Sequence, residues 1–320
     1  MHQSTKDVKD DLIESPTDSY RKENEYVLGL PREVISGRPR KAYPDSVVWL
    51  LLKKITSLKV ILRYVVQLIG QREWLIKTWK LRGQRVGLKA IVVGNGPSQG
   101  FIDEAKLTKF KASGGELICI NFWTENDILR KIIPTFMVTS DAVIFSSKIP
   151  AHLVAKHERL MSFMLENKSI LIGCPLERCG QIASIFGSDR VFGFVDHELR
   201  MWSNNINPMY PRGYLSMTLY KALAIAIWLE YDKIYLIGMD NTYPRNIYCD
   251  EVNKYISHEV HAVAKSFALD QSALYEGIGD VLMDAAILFY DVRKFKNEKI
   301  VNLDPYSLTD VFEKSREWMV

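Results

Sequence analysis

The sequence predicts an α/β fold in which a mostly parallel sheet is covered by helices on both faces. From residue 87 onward, short apolar runs rich in β-branched residues alternate with helical patterns, as in proteins with buried parallel strands. Several of these runs end abruptly in glycine, amide, hydroxyl or acidic residues, which indicates loops at the strand ends. The predicted strands are Ala90 to Val93, Leu117 to Ile120, Phe136 to Thr139, Ser169 to Ile172, Lys233 to Ile237 and Lys299 to Asn302.

Helical patterns occur both within this region and before it. Residues 218–229 form an apolar helix interior, and residues 281–295 have an amphipathic pattern. Residues 46–86 carry apolar clusters broken by lysine and arginine, which predicts one or two basic helices preceding the sheet. Residues 1–45 are rich in charge, serine and proline and indicate a flexible leader. We therefore divide the chain into this leader, a basic helical extension and a main domain at 87–320.

The basic extension has two interpretations. Its charges come too often for a transmembrane span, which needs about 20 consecutive apolar residues. Trp49, Trp74 and Trp79 lie among its cations, a combination that suits peripheral contact with a membrane of anionic lipids. The alternative is a helical layer packed on the main domain.

Composition excludes several classes of protein. The chain is 47% hydrophobic and 25% charged, which is globular, and a formal net charge of +4 is too small to indicate a nucleic-acid partner. The four cysteines have no zinc-like spacing and fit a reducing compartment. The first 24 residues contain no apolar segment typical of a secretory signal. We expect a cytoplasmic protein, with a peripheral location on the inner face of the cell membrane left open.

The most informative segment is Gly94-Asn95-Gly96-Pro97-Ser98, directly after the first predicted strand. Its glycines would let the backbone turn sharply and approach a ligand closely. Pro97 and Ser98 could start a helix whose first amides favour a phosphate. The third glycine of the dinucleotide motif and the lysine of the P-loop are both missing. The alternative is a tight strand-to-helix turn that binds no ligand.

Polar residues also follow four other predicted strands. Asn121 can both donate and accept, which suits a ribose or a base edge. Asp141 could bind a hydroxyl group or cap a helix. Because carboxyl ends of parallel strands meet at one edge, we expect a single crevice. Its walls are Gly94 to Ser98, Asn121-Phe122, Ser140-Asp141, Gly238 to Tyr243 and Asp304 to Ser307.

Two further segments carry candidate binding or catalytic groups. Arg212, followed by Ser216 and Thr218, leads into the apolar helix and could hold a nucleotide phosphate, although an arginine beside a glycine is also an ordinary surface turn. His258 and His261 are three residues apart, which on a helix would place both on one face as a general acid or base or as a solvated pair.

Two acidic residues complete the catalytic candidates. Asp240 is the first polar choice in the loop after residues 233–237, and its alternative role is to hold that loop as a turn. Glu276 lies in a glycine-rich turn before the second helical segment.

With these residues in view, the chain resembles the family 42 bacterial sialyltransferases and the related domain of motility accessory factors and a pterin diphosphokinase group. The resemblance covers roughly residues 87–307, and the N-terminal 86 residues lie outside it. Two of its motifs, the glycine-rich loop and the strand that ends in Gly-Met-Asp, are moderately specific. The matching segments are Gly94 to Ser98, Ile120 to Phe122, Arg212 to Thr218, Ile234 to Asp240 with Tyr243, and Leu303 to Ser307.

The resemblance implies a Rossmann-like domain, a CMP-sialic acid donor, no metal cofactor and sugar transfer with inversion through a histidine base. By this resemblance Asn95, Gly96 and Ser98 would face the donor phosphate, Asn121 its ribose or cytosine, and Tyr243 the leaving group. The residues assigned to the donor are Gly94, Asn95, Gly96, Pro97, Ser98, Asn121, Phe122, Ser140, Asp141, Arg212, Ser216, Thr218, Tyr243, Pro305 and Ser307.

The chain departs from the family at the catalytic base. The family histidine falls by spacing near Tyr275-Glu276, where this sequence has none. Either His258 or His261 reaches in from a rearranged lid, Glu276 or Asp240 is the base, or the donor is not sialic acid.

These considerations favour an inverting glycosyltransferase that uses a nucleotide-activated, CMP-linked acidic sugar to modify a bacterial surface glycan or glycolipid. Its partners would be the donor and a glycan or lipid-linked acceptor, and a homo-oligomer is left open. One alternative is a diphosphokinase that transfers from Mg-ATP to a small hydroxymethyl compound, with magnesium held by carboxylates such as Asp141 and Asp240. Another is a nucleotide-binding domain without catalysis.

Overall fold

The structure of the chain is a computed structural model. It describes residues 26–27, 30–31, 47–146, 149–199, 203–240, 247–249, 255–259, 267–270 and 286–316. Within these residues, no helix is both long enough and apolar enough to cross a membrane.

The strands form one large sheet, one three-stranded sheet and one short hairpin. Their bounds, in chain order, are β1 Tyr26–Val27, β2 Leu30–Pro31, β3 Lys89–Val93, β4 Glu116–Ile120, β5 Phe136–Val138, β6 Leu171–Pro175, β7 Val191–Phe194, β8 Lys233–Ile237, β9 Ile247–Cys249, β10 Tyr255–Glu259, β11 Phe267–Asp270, β12 Ile300–Asn302 and β13 Glu313–Lys314.

The large sheet contains eight strands in the order β13-β12-β8-β3-β4-β5-β6-β7. Every pairing in it is parallel, which confirms the predicted α/β class. In the register of the central strands, Ile91 lies opposite Leu117 of β4 on one side and Tyr235 of β8 on the other. The central strands are buried on both faces, as their near-continuous apolar sequences require.

Helices cover both faces of this sheet. Ile91 and Val93 point to the face covered by α3, α6 and α7, whereas Ala90 and Val92 point to the face covered by α8 and α9. Alternate residues of each strand thus contribute to two separate cores. The helices are α1 Val47–Gly70, α2 Arg72–Lys80, α3 Glu104–Ala112, α4 Asp127–Lys131, α5 Ala142–Phe145, α6 Val154–Glu166, α7 Cys179–Phe186, α8 Thr218–Trp228 and α9 at residues 286–292.

The second helix of the basic extension packs on the main sheet. Trp74, Leu75 and Thr78 are its buried residues. The Thr78 hydroxyl donates to the carbonyl oxygen of Gly193 in the edge strand β7, and Trp228 of α8 donates its indole N–H to the Thr78 carbonyl at 3.0 Å. At least this part of the extension is therefore a helical layer on the domain. The division of the chain into three domains stays a prediction.

Strand β7 was missed by the sequence prediction because a glycine interrupts a short apolar run. A Cβ atom at Gly193 would lie 2.5 Å from Cδ2 of Leu176 and 2.7 Å from Sγ of Cys179. The glycine therefore allows α7 and its preceding turn to pack directly on the strand. The fourth predicted strand was also displaced, since β6 begins at Leu171 and continues through Pro175.

The three-stranded antiparallel sheet contains a segment that was considered as a helix. In it β10 lies between β9 and β11, and His258 is paired with Ala268. The helical interpretation of the His258 segment is therefore wrong. His261 lies outside the described residues, so the prediction that the two histidines share one face stays a prediction.

Candidate functional site

The candidate site lies where the strand order of the large sheet reverses. After β3 the chain adds β4 to β7 on one side, and then returns to add β8, β12 and β13 on the other side. Ligands of open α/β sheets bind at the carboxyl ends of the strands near such a reversal. The described parts of all the predicted crevice walls follow carboxyl ends at this edge, those of β3, β4, β5, β8 and β12.

The loops after β3 and β8 are in direct backbone contact. The amide of Gly94 donates to the Ile237 carbonyl at 2.8 Å, and the amide of Gly96 donates to the Gly238 carbonyl at 2.9 Å. A Cβ atom at Gly94 would lie 2.5 Å from the Gly238 oxygen, and one at Gly96 would lie 2.0 Å from Oδ2 of Asp240. Each glycine therefore makes room for the neighbouring loop, and the donor contacts predicted for Gly94 and Gly96 stay predictions.

Asp240 joins the loops after β3 and β8 by hydrogen bonds. Its carboxylate accepts from the Ser98 amide and from the Ser98 hydroxyl, each at 3.0 Å. The same hydroxyl oxygen accepts from the Gly238 amide at 2.9 Å. Both polar groups of Ser98 are thus engaged inside the protein, and its predicted contact with a donor phosphate stays a prediction.

A second carboxyl group, Asp304, lies against Asp240. Burial raises the pKa of Asp240 to about 7, and the hydrogen bond and the charge of Asp304 act in the same direction. The bonds from Ser98 lower this pKa but do not offset these effects. The pair therefore holds a proton in the folded state at mildly acidic pH, and the Asp240 oxygens are occupied by internal partners.

Ser307 completes this buried joint. Its hydroxyl donates to the Met239 carbonyl at 2.6 Å, and the amide of Leu308 donates to the Asp240 carbonyl at 2.9 Å. Pro305 is only half-buried, between Asp304 and the exposed Tyr306. The loop after β12 is thus hydrogen-bonded to the loop after β8. The donor contacts predicted for Pro305 and Ser307 stay predictions.

A separate cluster of neutral polar groups joins the ends of β4 and β5 to the start of α8. The Asn121 amide group donates to the Thr218 hydroxyl at 3.3 Å and accepts from the Thr139 hydroxyl at 3.2 Å. The hydroxyls of Ser140 and Thr218 are 2.9 Å apart. Asn121, Ser140 and Thr218 are all half-buried, so this cluster lies at the surface of the crevice.

Asn121 adopts an uncommon backbone conformation with φ of 46°. Asparagine tolerates this left-handed region better than other residues that have a Cβ atom. The conformation turns the chain at the end of β4 directly into the polar cluster. The next residue, Phe122, is buried in the core, and its predicted contact with the donor stays a prediction.

Asn95 presents an unpaired acceptor at the same edge. Its side-chain carbonyl oxygen is buried and has no hydrogen-bond partner among the described residues. A buried polar atom without a partner costs free energy, so such an atom marks a position that a ligand donor would satisfy. Pro97 begins the short turn of 3₁₀ helix after it and is half-buried.

Asp141 caps the short helix α5. Its carboxylate accepts from the Val143 amide at 3.1 Å, so the predicted capping role is present. Burial raises the pKa of Asp141, while the Val143 amide and the charge of Lys221 oppose this rise. A half-buried carboxyl group with a raised pKa thus lies next to Ser140, beside the polar cluster.

Arg212 lies in a buried ionic network at the end of β7. Its guanidinium donates to Asp196 and to Glu198, each at 2.9 Å, and also to the Tyr214 carbonyl. Burial would lower the pKa of Arg212, but the two carboxylates raise it. All three of these partners are internal, and the predicted phosphate contact of Arg212 stays a prediction.

Lys221 connects this network to the start of α8. Its ammonium donates to Asp196 at 2.7 Å and to the hydroxyl of the exposed Ser216 at 3.0 Å. Burial alone would raise the pKa of Asp196, but the charges of Lys221 and Arg212 hold it below its usual value. Because Lys221 follows Thr218 by three residues on α8, both lie on one side of the helix.

Three residues that follow β7 were not predicted as site residues, namely Asp196, His197 and Glu198. Burial lowers the pKa of His197, and its Nε2 atom is buried without a hydrogen-bond partner among the described residues. The signal was present, because an apolar run from Val191 to Val195 ends in an acid, a histidine and a second acid.

Several of the predicted site residues cannot be placed. Tyr243, His261 and Glu276 lie outside the described residues, and only the backbone of His258 is described. Their catalytic or binding roles stay predictions. Within the residues that the structure does describe, no group of three or more histidine, cysteine, aspartate or glutamate side chains is placed to hold a metal ion.

Comparison with known proteins gives one structural similarity. No protein-family model matches the chain, and no curated protein matches it. The chain is similar to the structure of MAf glycosyltransferase from Magnetospirillum magneticum AMB-1, with 13% identity and a TM-score of 0.43. The match covers 74% of this chain and 37% of that one, so the chain spans well under half of that protein's length.

We expect Gly238→Ala to destabilise the protein by about 1–3 kcal/mol, the usual range for overpacking. Gly238 has φ of +75°, and its added Cβ would lie 2.2 Å from the Gly94 carbonyl oxygen, which is backbone and cannot rotate away. Gly180→Ala is the matched control, since a Cβ there meets nothing within 4 Å. Urea unfolding of both variants measures the effect, and equal stabilities would contradict the loop contact.

We expect the buried carboxyl pair to make stability fall as the pH rises towards about 7. Folding raises the pKa of Asp240 from 3.8 to about 7, so its contribution is complete below the lower value and is lost above the higher one. In Asp304→Asn the asparagine can donate a hydrogen bond to an ionised Asp240. The free energy of unfolding should therefore decrease less steeply with pH. Urea unfolding across this pH range, with the exposed Asp310→Asn as control, checks this; an unchanged slope in Asp304→Asn would contradict it.

Proposed function

We propose that the chain is an inverting glycosyltransferase that binds a nucleotide-activated sugar, a CMP-linked acidic sugar, at the carboxyl edge of its sheet. The observation that carries the proposal is the polar cluster of Asn121, Thr139, Ser140 and Thr218 at the start of α8. Four neutral groups that donate and accept converge there, beside the point where the strand order reverses. Such groups suit the hydroxyls and the phosphate of a nucleotide sugar.

The start of α8 supplies the electrostatic part of a phosphate site. Its N-cap residue is Met217, which has no side-chain cap hydrogen bond, so no side chain occupies the amides of the first turn in that way. The amides and the helix dipole favour an anion at this end. Lys221 adds a buried cation one turn further along.

The two asparagines support recognition of the rest of the donor. Asn95 offers a buried carbonyl oxygen that needs a donor, which a sugar hydroxyl or a base amino group would provide. Asn121 has both donors and acceptors at the edge of the cluster. The preference for CMP rests on the resemblance of the glycine-rich loop and the Asp240 strand to family 42 motifs.

The reaction requires one base and a stabilised leaving group. The base removes the proton of an acceptor hydroxyl, whose oxygen forms a bond to the anomeric carbon as that carbon's bond to the CMP phosphate breaks. The phosphate leaves with the electron pair, and the anomeric configuration is inverted because the acceptor oxygen attacks from the face opposite the leaving phosphate. Donors from Thr218, Ser140 and the amides of α8 would stabilise this negative charge, a contribution of about 10²-fold or more.

The base is proposed among His258, His261, Glu276 and Asp141. Asp141 joins the earlier candidates because burial raises its pKa and because it lies beside Ser140 in the crevice. Asp240, also an earlier candidate, is kept for a structural role, since Ser98 and Asp304 hold its oxygens. The acceptor would be a glycan or lipid-linked sugar, and the enzyme would act at the cytoplasmic side of a bacterial membrane.

We expect CMP to raise the melting temperature of the protein in the presence of a chelator, because a ligand that binds only the folded state stabilises it by mass action. A thermal-shift series with CMP, CDP, UDP, GDP and ATP, each with EDTA or with magnesium, measures this. Stabilisation by Mg-ATP alone would contradict the proposal and indicate diphosphoryl transfer instead. CMP binding without hydrolysis or transfer of any CMP-sugar would indicate a non-catalytic domain.

We expect Thr218→Val to weaken CMP binding about tenfold, since a hydrogen bond to a charged group contributes about 1.5–3 kcal/mol. Valine keeps the shape of threonine and removes only the hydroxyl. Thr108→Val on α3 is the matched control, because its exposed hydroxyl donates to the Glu104 carbonyl of its own helix. Isothermal titration calorimetry gives both affinities, and equal values for the two variants would remove Thr218 from the site.

A further inference from the structure

Helix α1 carries an exposed apolar stripe along the part whose side chains are described. Leu62, Val66 and Ile69 are 57%, 68% and 75% exposed, and Leu58, Ile61 and Val65 are exposed beside them. Positions 58, 62, 65 and 69 recur at the spacing of one helical face. The stripe spans about 16 Å of helix, which is far more than an isolated surface leucine.

This stripe is not the face by which α1 packs on the domain. The opposite side of the helix holds the buried Val60 and the partly buried Tyr64. The Tyr64 hydroxyl donates to the Met209 carbonyl at 3.2 Å, and its ring lies 6.2 Å from that of Tyr210. The helix therefore has two apolar faces, and the one with Val60 and Tyr64 packs against the domain.

The charges around the stripe decide which occupant fits the second face. Helix α1 contains no aspartate or glutamate, while its Lys59 and Arg63 are exposed beside the stripe. Helix α2 adds exposed Arg72, Lys80 and a Trp79 that is 61% exposed, together with one exposed acid, Glu73. Trp, aliphatic side chains and flanking cations suit the boundary between anionic headgroups and acyl chains. A second copy of the same helix would instead bring like charges together.

We propose that α1, from Leu58 to Ile69, docks on the surface of a membrane that contains anionic lipid, with α2 alongside it. Its aliphatic side chains enter the acyl boundary, and its cations contact the headgroups. This inference does not depend on the proposed transfer reaction.

Helix α1 contacts the domain at the carboxyl edge of the large sheet. Met209 lies in the chain after β7, and Gln67 of α1 donates at 3.4 Å to Glu177, which follows β6. Both contacts are at the carboxyl edge of the sheet, the edge that holds the polar cluster. A membrane bound by α1 would therefore lie near the carboxyl ends of β6 and β7, at the same edge of the sheet as the polar cluster.

Co-flotation of the full chain with vesicles tests the proposal. We expect binding to phosphatidylcholine vesicles containing about 30% phosphatidylserine, weak binding to pure phosphatidylcholine, and loss of binding as salt is raised. The variant Leu62→Gln/Val66→Gln should bind at least about tenfold more weakly, because each substitution removes apolar contact. Lys59→Gln/Arg63→Gln should weaken binding to the anionic vesicles alone.

The matched control is Ile133→Gln/Ile185→Gln, which changes two residues that are 41% and 42% exposed elsewhere on the domain. It should bind vesicles as the unaltered chain does, and thermal unfolding should show all variants folded. Unchanged binding by Leu62→Gln/Val66→Gln would overturn the proposal. So would equal binding to neutral vesicles, or a dimer that forms without vesicles and is lost in that variant, which would assign the stripe to a second copy.

Discussion

The contact between the loops after β3 and β8 is the constraint on which the candidate site depends. The two backbones pack so closely that Gly94, Gly96 and Gly238 have no room for a Cβ atom. Asp240 then accepts hydrogen bonds from Ser98 across the junction, and the carboxyl group of Asp304 lies against it. This contact lies where the strand order reverses. It fixes the loop after β3, and with it the position of Asn95.

Charged and neutral polar groups occupy different places near this contact. The charged groups Arg212, Lys221, Asp196 and Glu198 are paired with one another in a buried network, which lowers the cost of burying each charge. The neutral groups Asn121, Ser140 and Thr218 remain at the crevice surface. The network positions Lys221 and the start of α8, and the neutral cluster is the part that we propose for ligand recognition.

The sequence predicted the parts of this fold that depend on local pattern. Lys233–Ile237 was predicted with its observed bounds, and the loops after β3, β4, β5, β8 and β12 were correctly placed at one edge. The features that were not predicted depend on contacts between distant parts of the chain. No local sequence pattern predicts that Gly96 makes room for Asp240, or that Gly193 lets α7 pack on β7. The partners of Arg212 come from a strand that was not predicted, and Asn95 was recognisable only as part of a motif.

The central claim is that a nucleotide sugar binds at the carboxyl edge between β3, β5 and the start of α8. A crystal structure of the chain with CMP tests it most directly. We expect the phosphate at the first turn of α8, within hydrogen-bond distance of Thr218, and a donor group of the nucleotide on the free carbonyl oxygen of Asn95. A nucleotide bound elsewhere on the domain, or an Asn95 that remains without a partner in the complex, would contradict the account.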